Sequence, residues 1–189
     1  MIKFQKVSKF ADVDLPMPIR ATASSAGYDF VVAEDIVIPP YLRKWEVVEA
    51  EHWTEFSGKE FSLSETADMC KEYKAKPTLV STGMKCYLEP GYYLELSVRS
   101  STPLKYGLFL ANSVGIIDGD YADNPDNEGE IFFQVINMTP WAIQLKRGDK
   151  IGQGIIKKYC LTDSDITTSA PRVGGFGSTG TPMNNEIIN

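Results

Sequence analysis

The sequence predicts an all-β domain, built as a sandwich, a jelly roll or a barrel. Apolar and polar residues alternate over several short segments, as they do in strands with one buried face. Turn-forming residues separate these segments at short intervals, and strands do not alternate with helices. The 189 residues contain no internal repeat and suit a single domain, 1–189.

The individual strands follow from this pattern along the chain. Residues 2–7 alternate, and residues 35–38 form a short apolar run that ends at two prolines, where backbone donors are lost. Residues 79–88 and 92–98 flank a Glu-Pro-Gly turn, which predicts a β-hairpin. Further strands are predicted at 107–112, 114–118, 130–137, 141–145 and 151–160.

A segment rich in Glu and Lys, 45–77, interrupts the β pattern. Ser62 and Glu65 have the spacing of a capping box, and three later residues share one helical face. We expect one short inserted helix here, lying across the β body. A solvated excursion and a surface for a protein partner both remain open for this segment.

The C-terminal arm, 167–189, is rich in Gly, Ser and Thr and contains an isolated aromatic residue, Phe176. This composition buries too little apolar surface to offset the ordering entropy, about 1–2 kcal/mol per residue. A flexible linker is the simplest interpretation. A plain linker has no use for a large apolar ring, so Phe176 argues for a further role.

The charge balance bears on the class of partner. The chain has 19 basic and 25 acidic residues, a net charge of −6, so a basic groove for nucleic acid is not expected. Phosphate chemistry would need a few local cations, backbone amides or a metal. No apolar run approaches the roughly 18 residues of a membrane-spanning helix, and no signal-peptide pattern is present, so we expect a cytoplasmic protein.

The cysteines and the single histidine do not indicate a metal site. Cys70, Cys86 and Cys160 are far apart, which indicates free thiols rather than a disulfide framework or a zinc knuckle. His52 is the only histidine, so a site that needs two imidazoles is excluded. It lies in a charged, irregular stretch, where we expect no catalytic role.

Two clusters in the first 101 residues contain residue types that can carry chemistry. Small residues lead into Asp29, which lies between two aromatic residues. Arg99, Ser100 and Ser101 directly follow a predicted strand. An arginine beside two hydroxyls and free backbone amides is suited to bind phosphate.

Two further clusters follow along the chain. Asp118 comes after two isoleucines, so its carboxylate is expected at the tip of an apolar strand, where desolvation favours a base toward water. A turn-initiating Asp is the alternative. Residues 147–154 form a turn leading into a strand whose Gln153 can hydrogen-bond a ligand. Any one of these clusters alone is more often structural than catalytic.

In this order, the clusters and the arm resemble the five motifs of the trimeric dUTPase family, which hydrolyses dUTP to dUMP and pyrophosphate. The matching strings are AGYDF, VRSS, GIIDGDY, RGDKIGQ and GGFGSTG, from about Ala26 to Gly180. The resemblance implies a homotrimer of distorted jelly rolls, whose three active sites each take motifs from all three chains. The arm would cross to another subunit and close over the nucleotide.

The resemblance also implies roles around the nucleoside. Asp118 matches the catalytic carboxylate, which activates the water that attacks the α-phosphorus. Tyr121 matches the tyrosine that lies beneath the sugar and leaves no room for a 2′-hydroxyl. Asn112 and the backbone of a 112–118 hairpin, including Gly115 and Ile117, correspond to the segment that reads uracil. Backbone groups left unpaired against cytosine would discriminate by roughly 10⁴.

For the triphosphate, the resemblance implies one Mg²⁺ chelated by the three phosphates, with Asp29 acting through metal-bound water rather than as a direct ligand. Phe176 would stack on the uracil. The remaining substrate-binding residues implied by the motifs are Arg99, Ser100, Ser101, Gln153, Arg172, Gly177, Ser178 and Thr179.

Three features depart from the family pattern. Arg172 lies three residues before Gly175, where the family usually has an arginine four residues before. Residues 122–127 lengthen the segment after Tyr121 and add two acids, which could reshape a subunit contact. The segment 45–77 is also additional to the family core.

Three alternative functions are weighed against dUTP hydrolysis. dCTP deaminase shares the fold, but Gln134 stands where its proton-shuttling glutamate lies, and an amide cannot exchange that proton. A regulatory protein could use 45–77 to bind a partner while dUTP tunes the contact. A structural trimer without chemistry is disfavoured because the acid, the arginine, the tyrosine and the arm aromatic are all present.

Overall fold

The computed structural model describes residues 1–41 and 76–166, and it confirms the all-β prediction. These residues form twelve strands, one α-helix, α1 (Ser101–Tyr106), and a short 3-10 helix (Ser8–Phe10). The strands are β1 (Lys3–Lys6), β2 (Ile19–Arg20), β3 (Tyr28–Val31), β4 (Ile36–Ile38), β5 (Thr78–Ser81), β6 (Met84–Tyr87), β7 (Tyr92–Val98), β8 (Leu108–Leu110), β9 (Gly115–Ile117), β10 (Phe132–Asn137), β11 (Ile143–Leu145) and β12 (Lys150–Lys158).

The strands pair in four sheets. The largest has five strands in the order β2-β3-β12-β7-β9, and a second has three in the order β5-β10-β8. β1 pairs with β6, and β11 pairs with β4. All of these pairings are antiparallel, as expected for a chain whose described part lacks alternating strands and helices.

The apolar core joins the five-stranded and three-stranded sheets. Phe30 of β3 and Phe133 of β10 approach each other across it, with ring centroids 5.8 Å apart. Both rings are buried, as are Leu94 and Leu96 of β7. Each such side chain stabilises the fold by about 1.5–3 kcal/mol. Because side chains alternate along a strand, the core also fixes which residues of β3, β7 and β12 point outward.

The predicted hairpin of 79–88 and 92–98 is wrong. The first segment divides into β5 and β6, which pair with β10 and β1, whereas β7 pairs with β12 and β9. The division occurs at Gly83, whose φ of +66° is in the left-handed region that favours glycine. Thr82 fixes the change of direction, since its hydroxyl donates to the Ile131 carbonyl at 2.6 Å.

Helix α1 was not predicted. Its sequence nevertheless has two helix signals: Pro103 lies in the first turn, where a missing N–H is tolerated, and Gly107 ends the helix. Gly107 has a φ of +62°, and its N–H donates to the Pro103 carbonyl at 3.1 Å. The helix is short because Gly107 ends it after six residues.

The other predicted strands are present with bounds that differ by at most two residues at either end. β2 and β3 are additional: the segment of β3 was singled out for chemistry rather than as a strand, and no strand was predicted at β2. The predicted inserted helix and most of 45–77 lie outside the described residues, as does the arm 167–189. Among the described helices, none has the length and apolar character required to cross a bilayer.

Candidate functional site

Charged and polar side chains meet where β3, β12 and the end of β7 run side by side. Asp29 of β3 pairs with Gln153 of β12, and Gln153 pairs with Ser97 of β7, so these side chains share one face. Arg99 follows β7 and reaches the same place. We call Asp29, Arg99, Lys150 and Gln153 the Asp29 cluster.

Asp29 holds two cations although it is only 9% exposed. Arg99 Nε lies 3.3 Å from its Oδ1, and Lys150 Nζ lies 2.9 Å from its Oδ2. Burying a carboxylate is costly unless its charge is compensated, so these partners stabilise Asp29 in place. The three side chains together carry one net positive charge, within a chain of net charge −6. That local excess is suited to bind an anion.

Lys150 belongs to this cluster but was missed in the sequence. Residues three apart on a regular strand point to opposite faces, so Lys150 and Gln153 are not expected to be neighbours. The pairing of β12 with β3 shifts its register between Lys150 and Gly152, and this irregularity allows Lys150 to reach Asp29. Gly152 was the available signal, because a glycine within a strand often marks a bulge.

Gly27 provides the space that the Gln153 side chain occupies. A Cβ on Gly27 would overlap Gln153 Oε1 and would lie 3.0 Å from its side-chain carbonyl carbon. Gly27, two residues before Asp29, therefore has a packing role. It allows the amide of Gln153 to lie beside Asp29.

Ser100 and Ser101 lie beside Arg99 at the start of α1. Ser100 is exposed and precedes the helix, and Ser101 is half-buried. The N–H of Thr102 donates to the Arg99 carbonyl at 2.9 Å, which fixes the turn between β7 and α1. The two serines predicted together with Arg99 therefore follow this member of the Asp29 cluster directly.

A cavity of about 390 Å³ lies along the edge strand β9, and we call it the β9 cavity. Its size is that of a small-molecule pocket. Four of the predicted nucleoside-binding residues line it: Asn112, Gly115, Ile117 and Tyr121. The other lining residues are Leu96, Leu110, Val114, Ile116, Phe132 and Gln134.

The chain turns sharply at the β9 cavity. Ser113 has a φ of +62°, and the N–H of Val114 donates to the Asn112 carbonyl at 2.6 Å. A non-glycine residue in this region is uncommon and indicates a constrained backbone. The predicted 112–118 hairpin is nevertheless wrong, because β8 and β9 on its two sides belong to different sheets.

Tyr121 forms one wall of the β9 cavity and is only 4% exposed. Its hydroxyl donates to the Glu130 carbonyl at 3.1 Å and accepts from Asn127 Nδ2 at 2.8 Å. Asn127 was not identified from the sequence, since its contact with Tyr121 depends on how the intervening loop folds back. The ring is therefore fixed by hydrogen bonds as well as by packing.

Asp118 directly follows β9 but lines a second cavity, of about 720 Å³. Ile116 lines both cavities, so β9 lies between them. The other residues lining the second cavity are Leu88, Pro90, Tyr93, Gly119, Asp120 and Tyr159. Asp118 is exposed in the single chain, which differs from the desolvated carboxylate expected from the sequence.

The single chain does not bring Asp118 and the Asp29 cluster together. Ile117, the neighbour of Asp118, pairs with Leu94 near the start of β7, whereas Arg99 follows the end of that strand. The site residues therefore form two groups, one at the β9 cavity and one at the Asp29 cluster.

Within 1–41 and 76–166, no group of three or more His, Cys, Asp or Glu could hold a metal ion. Each carboxylate oxygen of Asp29 already faces a cation, which suits it to accept from metal-bound water rather than to bind an ion directly.

The remaining predicted site residues lie in the arm, outside the described residues; they are Arg172, Phe176, Gly177, Ser178 and Thr179. Among the predicted free thiols, Cys86 is buried and Cys160 is exposed. Burial raises the pKa of the Cys86 thiol to about 12, so this cysteine is unreactive at neutral pH.

The chain is similar to known proteins over most of its length. A family model described as dUTPase matches residues 61–180. The chain is 34% identical over 178 residues to the deoxyuridine 5′-triphosphate nucleotidohydrolase of Lactococcus lactis, covering 94% of this chain and 96% of that protein. It is 29% identical over 168 residues to the protein of the same name from Wolinella succinogenes, covering 87% and 86%.

A solved structure is also similar to this chain, in fold as well as in sequence. The crystal structure of dUTPase from Streptococcus mutans superposes on this chain with a TM-score of 0.64 at 36% sequence identity. The superposition covers 85% of this chain and 98% of that one. The likeness therefore includes the fold as well as the sequence.

Proposed function

Since the chain belongs to the dUTPase family and hydrolyses dUTP to dUMP and pyrophosphate, we propose that the β9 cavity binds the nucleoside and that Asp118 is the general base. The jelly-roll-like fold predicted from the motifs is that of the family. One observation carries the proposal: Asn112, Gly115, Ile117 and Tyr121 line a single cavity, and Asp118 directly follows the strand that forms it.

Uracil recognition is assigned to the turn at Asn112 and to the backbone of β9. The N–H of Ala111 donates to the Gln134 carbonyl at 2.8 Å, which holds the turn against β10. Backbone groups fixed in this way cannot rearrange for another base. Against cytosine they would be left unpaired, and this supports discrimination by roughly 10⁴. A thymine methyl group would collide with the same wall.

The sugar is assigned to the ring of Tyr121. The ring is nearly fully buried and lines the cavity together with Ile117. A flat apolar wall favours a 2′-deoxyribose, and a 2′-hydroxyl would be forced against it without a partner. This contact supports selection of the deoxynucleotide.

Asp118 is assigned the proton transfer. Its carboxylate takes a proton from a water molecule as the water oxygen forms a bond to the α-phosphorus. The bond between the α-phosphorus and the oxygen that bridges to the β-phosphorus breaks, and pyrophosphate leaves with that electron pair. The position of Asp118 just beyond the β9 cavity supports this role, because the α-phosphate follows the sugar.

The triphosphate is assigned to the Asp29 cluster of a neighbouring chain. Arg99 and Gln153, with the hydroxyls of Ser100 and Ser101, offer donors around a local excess of positive charge. Within one chain this cluster lies at the other end of β7 from Asp118. A homotrimer with shared active sites would bring the two groups to one nucleotide.

The family generally depends on a metal, and we propose Mg²⁺ for this chain. Asp29 would hold it through bound water, and the nucleotide phosphates would supply direct ligands. When bound, the ion neutralises phosphate charge and so favours attack by an anionic or polarised water. The two cations that contact Asp29 hold its carboxylate in one orientation.

The arm is proposed to complete the site from a third chain. Phe176 would cover the uracil, while Arg172, Gly177, Ser178 and Thr179 would contact the phosphates. Closure of such an arm excludes bulk water, and it would desolvate the exposed Asp118.

The other functions receive less support. Gln134 lines the β9 cavity with an amide, which cannot serve as the acid and base of a deaminase. A protein partner for 45–77 stays a proposal; the family match begins within that segment, at residue 61. Deletion of 45–77, followed by assays of hydrolysis and of partner capture, separates the two roles.

The proposal is tested by incubating the protein with each nucleoside triphosphate and Mg²⁺ and measuring pyrophosphate. Release from dUTP alone is expected, and Asp118→Asn should abolish it while nucleotide binding remains. Ammonia release from dCTP would instead indicate a deaminase. Full turnover in Asp118→Asn would refute the assignment of the base.

A further inference from the structure

Residues 122–131 form the loop between Tyr121 and β10, and this loop holds Tyr121 from two sides. The Tyr121 hydroxyl donates to the Glu130 carbonyl at 3.1 Å and accepts from Asn127 Nδ2 at 2.8 Å. Asn127 is the last residue of the segment 122–127, whose length departs from the family pattern, and Glu130 lies three residues beyond it. Two hydrogen bonds in different directions restrict the ring to one orientation, which packing alone does not guarantee.

Asn127 is itself fixed on both sides of its amide. The side-chain Oδ1 of Asn127 accepts from the N–H of Gly129 at 3.0 Å. The backbone carbonyl of Asn127 accepts from the N–H of Glu130 at 3.0 Å. Its Nδ2 is the donor to Tyr121. An amide bonded through both its oxygen and its nitrogen cannot rotate freely, so the loop determines where the Tyr121 hydroxyl lies.

The outer side of the loop is anchored to the rest of the domain. Lys85 of β6 has a side chain only 7% exposed; its Nζ bonds to Asp123 and lies 3.7 Å from Glu128 Oε2. Glu128 also accepts from the backbone N–H and the hydroxyl of Ser8, at 3.1 Å and 2.9 Å. A buried ammonium group is costly to leave unpaired, so these contacts favour a single position of the loop.

Gly129 brings the end of the loop against the backbone of Tyr121. It has a φ of +75°, and a Cβ there would overlap the Tyr121 carbonyl oxygen. Only glycine combines this conformation with this close approach. The loop therefore contacts both the backbone and the hydroxyl of Tyr121.

We propose that Asn127 is a positioning residue that sets the discrimination between 2′-deoxyribose and ribose. It acts by holding the Tyr121 ring in place, because a ring that cannot move aside leaves no space for a 2′-hydroxyl. The inference rests on the proposed function, in which Tyr121 lies at the sugar. Loss of this anchor would admit UTP without changing any contact to the base or the phosphates.

The test measures kcat and KM for dUTP and UTP in the full chain and its variants. Asn127→Ala is expected to lower the dUTP/UTP ratio of kcat/KM about tenfold, because UTP improves more than dUTP worsens. Tyr121→Phe keeps the ring but removes the anchored hydroxyl, so it should have the same effect. The double variant should lose no further discrimination. Asp126→Ala, an exposed position in the same loop, is the matched control and should keep the wild-type ratio.

An unchanged ratio in either single variant would overturn the inference, and so would a further loss in the double variant. A lower ratio that comes only from slower dUTP hydrolysis would mark a structural effect and count against it. If Asn127→Ala does not fold, the ratio of Tyr121→Phe decides. A wild-type protein that hydrolyses UTP as well as dUTP would overturn the proposed function instead, so the two failures are distinguishable.

Discussion

Arg99 and Asp118 lie toward opposite ends of β7, although both are proposed to act on one nucleotide. Leu94 pairs with Ile117, the neighbour of Asp118, and five residues of strand, about 17 Å, separate Leu94 from Arg99. Arg99 is also held by Asp29, 3.3 Å away. In the proposed trimer, each active site therefore takes Asp118 and Arg99 from different chains.

Mixing two inactive variants should restore activity if the sites are shared. Asp118→Asn cannot accept a proton, and Arg99→Ala removes a cation from the triphosphate, so each should reduce turnover by at least about a hundredfold. In trimers reassembled from equal amounts of both, about one site in four has both native residues. Pyrophosphate release should then recover to about a quarter of the wild-type rate.

The two variants taken separately through the same dissociation and reassembly are the controls for this experiment. Asp118→Asn should still bind dUTP, which shows that its sites are assembled. Failure of the mixture to recover activity, with mixed trimers demonstrated, would place both residues of each site in one chain.

Gly27→Ala should weaken nucleotide binding through Gln153. Its methyl group would overlap Gln153 Oε1 and move that amide away from Asp29. We expect KM for dUTP to rise about tenfold, roughly the value of one lost hydrogen bond to a charged group. Steady-state kinetics of Gly27→Ala, Gln153→Ala and the double variant provide the measurement. If the increases in KM of the two single variants add fully in the double variant, Gly27→Ala does not act through Gln153.

Gly152 packs against the ring of Phe133 in the core, so a larger side chain at position 152 should lower stability. A Cβ on Gly152 would overlap the Phe133 ring, and overpacking of this kind costs about 1–3 kcal/mol. Gly152→Ala should therefore lower the free energy of unfolding by about 2 kcal/mol, measured with urea. Phe133→Leu makes room for the methyl group, so it should cost less in the Gly152→Ala background than in the wild type. Equal costs in both backgrounds would argue against the overlap.

Local alternation was sufficient to predict most strands, but it was not sufficient to predict their partners. β7 and β10 each have the period of two that a half-buried strand requires, and this pattern is visible within six or seven residues. Pairing depends on where the chain changes sheet. At Gly83 a single left-handed residue makes that change, and one glycine in an apolar run does not reveal it.

The same distinction applies to the candidate site. Asp29, Arg99 and Gln153 could be grouped from motifs that recur in a known order, and the structure places them together. Lys150 could not be predicted as a member of this group, because a shift of register in the pairing of β12 with β3 brings it to Asp29. Asn127 could not either, since its partner Tyr121 is reached only after the loop folds back.

Glu128 and Glu130 lie two residues apart and should give opposite dependences of stability on pH. Burial raises the pKa of Glu130 above its ordinary value of 4.5, although hydrogen bonds from Ser81 and Gly83 oppose this shift. Hydrogen bonds from Ser8 hold the pKa of Glu128 below that value. A raised pKa means that ionisation destabilises the folded state, and a lowered pKa means that ionisation stabilises it.

The measurement is the free energy of urea unfolding of the wild type, Glu130→Gln and Glu128→Gln from about pH 3.5 to about pH 8. Relative to Glu130→Gln, the wild type should be most stable at low pH and should lose stability as the pH rises above 4.5 through the raised pKa. Relative to Glu128→Gln, it should keep its full advantage above pH 4.5 and lose it as the pH falls through the lowered pKa. Titration of all other groups is common to the three proteins and cancels in both differences. Two differences with the same slope would contradict burial as the cause of the Glu130 shift.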